Sequence, residues 1–427
     1  MANKLNWPAF RPADLLLPVG CDMRKWSVVA CDQYTSQPDY WQRVADFVGD
    51  APSTLNMILP EFFLREGNTM QRRASINQTM DRYLAEGNFR VCPDALIYVE
   101  RWLSGGQLRR GLVGAIDLED YDYDGSQEPL IRATEGTVVA RIPPRMAIRR
   151  GAALELSHVL LLMDDPEKRI IEQLTYETND MEMVYDFDLM EQGGHITGYL
   201  LTEEQKADIC QALNELNDPR RFEELYDAHG EEPMLFAVGD GNHSLATARA
   251  CYLEQKELHP ELDWEHHPAR YATVELVNLH DDSLDFEAIH RVVFSVDPEK
   301  LLAALVDYYP GTHYGEGEGQ TFRYVWEKGE GAITIPDPVA QLAVGSLQGF
   351  LDYYLTANDD GYVDYVHGED VTARLGRQPG NIGFLLPSIH KADLFKGVIH
   401  DGALPRKTFS MGEACDKRFY LEAKKIK

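Results

Sequence analysis

This chain is poor in cations, in paired cysteines and in long apolar runs. Lysine and arginine number 41 against 70 aspartates and glutamates, a formal net charge of −29 over 427 residues. A nucleic-acid or anionic-membrane partner wants a basic surface, so neither is expected; an anionic small molecule is not excluded, because local fields override net charge. Cys21, Cys31, Cys92, Cys210, Cys251 and Cys415 form no CxxC pair and no metal-like spacing, which reads as reduced cytosolic thiols. No stretch reaches membrane-spanning length, and Met1 to Pro8 has no apolar core of signal-peptide length. A soluble, cytoplasmic protein is expected. No Gly-x-x-x-x-Gly-Lys-Ser/Thr occurs, so an ordinary P-loop is excluded.

With 44% hydrophobic residues the chain has material for ordinary cores in two or three domains. Residues 38–90 read as mainly helical, most clearly from Asn68 to Glu86. A hairpin is expected between Ala95 and Leu118 around a Ser-Gly-Gly turn, and strands at 159–163, 183–188, 196–201 and 271–279. Thr202 should cap a helix to Asn217, with Glu203 and Glu204 at its positive end. Beyond Pro298 a helix at 299–308, a Gly-rich solvated loop (311–319), a strand at 321–326 and a helix at 346–356 follow. The class is α+β, or mixed α/β, with an N-terminal and core domain over 1–295 and a C-terminal α+β domain over 296–427.

Chemistry is clearest where the apolar run Met234–Val238 ends in Gly239-Asp240-Gly241 and Asn242, His243 and Ser244 open a helix. A helix N-terminus offers unpaired N–H groups and partial positive charge, a setting for phosphate or metal-bound phosphate. A plain glycine turn with an Asn or Ser cap explains the same residues. Arg132, Arg141, Arg145, Arg149 and Arg150 crowd around Glu135. Arginine's planar fork suits anions, and Glu135 suits proton transfer, a metal or an arginine partner; surface ion pairs are the competing explanation. Asp281 and Asp282, beside His280, suit a hard cation such as Mg²⁺ or an Asx turn. His290 and Arg291 sit inside an apolar run, where a guanidinium needs partners. Cys31-Asp32 reads as part of a substrate-facing loop, with no base in sight for the thiol, and Pro405 to Ser410 as an exposed or phosphate-touching loop.

Three of these segments together resemble one family, catalogued as domain of unknown function 1015. The 240–244 turn is similar to its Asp-Gly-His-His-Arg motif, Ile289-His-Arg-Val-Val to its Thr-His-Arg segment, and Pro405-Arg-Lys-Thr-Phe with Lys417-Arg-Phe-Tyr to its closing motif. Here Asn242 stands for the first histidine and Ser244 for the arginine. More remotely the turn resembles the ParB/sulfiredoxin-like fold, a group that includes free-serine kinases. The resemblance implies a ParB/sulfiredoxin-like catalytic core and a nucleotide- and Mg-dependent phosphotransferase acting on a small hydroxyl-bearing metabolite. Mg²⁺ and ATP or ADP are the implied cofactors. Asp240 would be the metal-linked acid, with Asp281 as a second ligand; Gly241, Asn242, His243 and Ser244 would cradle phosphate. Glu135 would be the base, and Arg132, Arg141, His290 and Arg291 the anion clamps. A non-catalytic nucleotide sensor and a metal-dependent hydrolase are the alternatives; a homo-oligomer stays open.

Overall fold

The structure, a computed structural model, describes residues 5–65, 69–358 and 361–427. It is a mixed α/β protein, as expected. Two compact units form, one of residues 1–133, 137–284 and 412–427, the other of 134–136 and 285–411. The division thus falls between Leu284 and Asp285 rather than near 295, and the last 16 residues (412–427) return to the first unit. Among the described residues no helix is long and apolar enough to cross a membrane.

The first unit is built on a ten-stranded mixed sheet. The hairpin Ile97–Trp102 with Leu108–Asp117 forms as read from its Ser-Gly-Gly turn. Glu182–Asp188 with His195–Leu200 extends it on one side, and Tyr271–Asn278 on the other. Next come Leu160–Met163, Phe236–Asp240 and Ile131–Ala133. Leu161, Leu162, Phe236, Ala237 and Val238 are almost wholly buried. Such continuous apolar runs mark strands covered on both faces, each leucine, valine or phenylalanine contributing about 1.5–3 kcal/mol. Thr202 and Gln205 close a reciprocal capping box at the start of Glu203–Leu216. Among the described residues, 38–90 hold two α-helices, Pro38–Val48 and Thr69–Ala85, with the 3₁₀ turns Thr54–Met57 and Glu61–Arg65 between them; the expected start at Asn68 lies outside the described residues.

The second unit is an antiparallel sheet whose main path runs His313–Tyr314, Gly329–Ile335, Gln320–Trp326, Ile382–Leu385, Phe286–Phe294, Tyr362–His367. The sequence pattern pointed to Gln320–Trp326 but not to Gly329–Ile335 or Tyr362–His367, whose glycines and polar residues dilute the alternation.

The closing residues of the chain are stitched into the first unit by buried polar groups. Arg418, 5% exposed, donates to Glu275 and Glu422, both at 2.7 Å, and to the Ser157 carbonyl. Trp26 Nε1 donates to the Leu421 carbonyl at 2.9 Å, and Arg101 to the carbonyls of Cys415 and Lys417. Removing one partner of a buried ion pair strands the other charge in low dielectric, which typically costs about 3–5 kcal/mol. Arg418→Met should therefore lower the unfolding free energy by roughly that amount in urea titrations. A loss under about 1 kcal/mol would show that Glu275 and Glu422 do not depend on it.

Candidate functional site

The strand Phe236–Asp240 runs antiparallel to Leu160–Met163 and ends at Gly241, whose φ of +81° is left-handed backbone. Glycine is required there twice over, because a Cβ would also meet Val159 Cα at 3.0 Å. The helix Asn242–Leu258 follows directly, with Gly241 as N-cap and so no N-cap side chain to accept from its first amides. The positive end of a 17-residue helix thus lacks the side-chain cap that Ser, Thr, Asn or Asp would supply at the N-cap. Asn242 adds a buried Oδ1 with no partner among the described residues, an acceptor suited to a ligand's N–H or O–H.

Around this turn the first unit collects groups from far apart in sequence. Asp240 Oδ1 accepts from Gly241 N at 2.8 Å, and Oδ2 lies 3.2 Å from Lys417 Nζ. His243 Nε2 accepts from Val138 N at 3.3 Å. Ser244 Oγ is 3.3 Å from Nε2 of His158, a residue only 4% exposed. The other ring nitrogen of His158 is 2.8 Å from the Tyr420 hydroxyl, and Asp32 Oδ2 lies 3.7 Å from Nε2. Tyr420's oxygen accepts from Cys31 N, so its O–H is directed to His158 Nδ1. With Nδ1 accepting from Tyr420, the proton on Nε2 faces Ser244 and Asp32. Burial pushes the Tyr420 phenol well up, which keeps it protonated for that role. Burial alone would raise the Asp32 carboxyl, but His158 and Lys417 outweigh it and hold it below the usual range.

The expected residues separate on inspection. Asp240, Gly241, Asn242, His243 and Ser244 share the turn, and Val138 brings the segment leading to Arg141 against His243. Arg141 is exposed at the end of the 3₁₀ turn Val139–Arg141. Arg132 is not brought to the turn. It sits opposite Ala237, three residues before Asp240, and its guanidinium donates to the carbonyls of Pro129 and Glu232. Arg145, Arg149 and Arg150 pair with Glu61, Glu155 and Glu254. Glu135, His290 and Arg291 belong to the second unit, where Glu135 bridges to Leu404. Arg291 is fully buried and donates to Gln348 and to the carbonyls of Ile289, Arg406 and Lys407. Burial lowers its pKa to about 10. Its role there is to hold the 405–407 loop, which corrects the expectation of an anion clamp.

Asp281 does not share a cation with Asp240. Leu160 pairs with Asp240 while Met163 pairs with Asn278, so the two carboxylates leave opposite ends of these strands, at least ~10 Å apart. Asp281 instead caps its own turn through Ser283 and accepts from Arg110 N, and Asp282 pairs with Lys168. Among the described residues no group of three acidic, histidine or cysteine side chains is arranged to hold a metal. With Lys417 against Asp240 the donor set at the turn does not fit a resident Mg²⁺, since an ammonium already faces the carboxylate. It fits an anion whose own charge the ammonium and the helix amides meet.

His158, Lys417 and Tyr420 are the site residues that sequence reading did not single out, while Asp32 lay in the segment read as a substrate-facing loop. One signal was present, the Lys417-Arg-Phe-Tyr segment quoted for the family resemblance.

A profile of the family described as protein of unknown function (DUF1015) matches residues 19–354. The chain belongs to that family. The closing segment at 405–420 lies beyond the matched residues. No curated protein matches the chain. Solved structures that are similar include a free serine kinase variant in complex with AMP, at 11% identity and TM-score 0.37, covering 72% of this chain and 91% of that one. Another variant of that kinase, in complex with ADP, stands at 10% identity with the same TM-score and coverage. SbnI from Staphylococcus aureus, truncated at its C-terminus, stands at 10% and 0.36, covering 70% and 82%.

Burial and the Asp32 charge push the Cys31 thiol up to about 12. At pH 7.5 its thiolate fraction is then on the order of 10⁻⁵ to 10⁻⁴, which argues against a nucleophile. Iodoacetamide should leave Cys31 unmodified in the folded protein while labelling it after unfolding, as read by peptide mass spectrometry. Rapid labelling in the native state would reinstate it as a reactive thiol.

Proposed function

We propose that the 240–244 turn holds the phosphates of ATP or ADP, and that the protein is a nucleotide-dependent phosphotransferase acting on a small hydroxyl-bearing metabolite. The observation that carries this reading is the helix N-terminus without a side-chain cap, with Lys417 beside it. Phosphoryl transfer asks mainly for positioning and charge neutralisation, and amides, an ammonium and a histidine supply both. Transfer breaks the bond between the terminal phosphorus and its bridging oxygen and forms one to the acceptor hydroxyl oxygen. The hydroxyl proton passes to a carboxylate. Asp32, beside Ser244 through His158, is the acid we assign to that step within the first unit, with Glu135 retained as the sequence-based candidate to be tested by substitution. Any Mg²⁺ would be held by the nucleotide's phosphates rather than by a protein cage.

A binding-only sensor is the second reading. Ser244, at the position of the motif arginine, is engaged with His158, so the turn lacks a guanidinium. Product formation in a substrate screen separates the two readings.

Lys417→Met should weaken ATP binding and lower kcat/KM by ~10²-fold or more, the usual scale for one removed charge-stabilising donor. Asp32→Asn and Glu135→Gln should differ, the true base giving the larger fall in kcat. The proposal fails if neither ATP nor ADP binds with or without Mg²⁺, or if Lys417→Met and Asp240→Asn leave turnover intact.

A further inference from the structure

A cleft in the second unit holds a set of uncommitted groups that the phosphate turn does not explain. Its volume is about 550 Å³, within the usual range for small-molecule sites. The floor is set by sheet register. Arg323 pairs with Leu385, and Arg291 with Phe384, so His290 and Arg323 flank Leu385 on one face. His290 is 4% exposed, and its Nδ1 accepts from Leu386 N at 3.1 Å. That bond fixes the proton on Nε2, which lines the cleft and has no partner among the described residues. Burial lowers the ring's pKa, against the pull of Glu369 and with the help of Arg323, His367 and Arg291, so the group presented is a neutral donor.

The rim divides into spent and unspent charges. Arg323 pairs with Glu369 at 2.5 Å and His367 with Glu287 at 2.5 Å. Glu316, on the glycine-rich loop, lines the same cleft and has no ion pair among the described residues. The helix Glu369–Gly376 begins at the rim with Gly368 as N-cap and no side-chain cap. What stays unspent is the Glu316 carboxylate, the His290 Nε2–H and the first amides of the helix.

We propose that this cleft binds a small zwitterion, with its ammonium on Glu316 and its carboxylate on His290 Nε2–H and the first amides of Glu369–Gly376. An anion alone would leave Glu316 unmatched and meet its repulsion. An amine alone would leave the His290 Nε2–H and the helix amides unused, because it has no oxygen to accept from them. Leu385 and Leu386 offer apolar surface to the ligand's carbon frame.

Isothermal titration of the full-length protein with the α-amino acids tests this, with butylamine and pentanoate as amine-only and carboxylate-only controls. Binding is read directly, so the outcome does not depend on whether the turn transfers phosphate. At least one amino acid should bind while both controls do not. Glu316→Gln and His290→Gln should each weaken that binding by ~10-fold or more, and Glu316, being on an exposed loop, gives a variant that folds. The proposal is overturned if no amino acid binds, if a control binds as well as the zwitterions, or if Glu316→Gln changes nothing.

Discussion

A guanidinium removed from water must find fixed acceptors, and Arg418 finds them on two carboxylates and a carbonyl inside the first unit. This constraint decides where the end of the chain runs. Glu275 lies on the strand Tyr271–Asn278, next to Leu160–Met163, so Arg418 can be satisfied only if residues 412–427 thread back across the sheet. Its two neighbours in the segment then acquire roles. Lys417 reaches Asp240, and Tyr420 reaches His158. One buried ion-pair network, through Arg418, brings Lys417 and Tyr420 of the same four-residue stretch to the candidate site.

The turn itself has a separate origin. An apolar strand delivers Asp240, a glycine with positive φ turns the backbone close against Val159, and the helix starts without an N-cap side chain. Strand, glycine and helix make an anion cradle from backbone alone. The side chains then tune it, with Asp240 orienting Lys417 and with His158 holding Ser244 and Asp32 at one ring nitrogen. The chain is strongly acidic overall, yet here one ammonium and a helix end face inward. Net charge constrains partners at long range, whereas a pocket is governed by what lies within a few ångströms.

The turn was legible because its signals are local: an apolar run, a glycine and a polar cluster before a helical stretch. The hairpin at 97–117 and the capped helix at 203–216 were legible for the same reason. The way its companions come together was not, because His158 reaches Ser244 across 86 residues and Asp32 and Lys417 reach the site across more than a hundred. Asp281 illustrates the complementary failure. A carboxylate pair after a strand looks like a cation site, but strand direction alone decides which end of the sheet it occupies. Arg291 was flagged correctly as a guanidinium that needs partners; those partners proved to be carbonyls of its own unit rather than a ligand.

The central claim is that phosphate groups sit on the amides that open the helix Asn242–Leu258, beside Lys417. A crystal structure with bound ADP measures this directly. The account predicts phosphate oxygens within ~3 Å of the Asn242 or His243 amide and of Lys417 Nζ. A nucleotide bound with its phosphates away from residues 240–244 would contradict it.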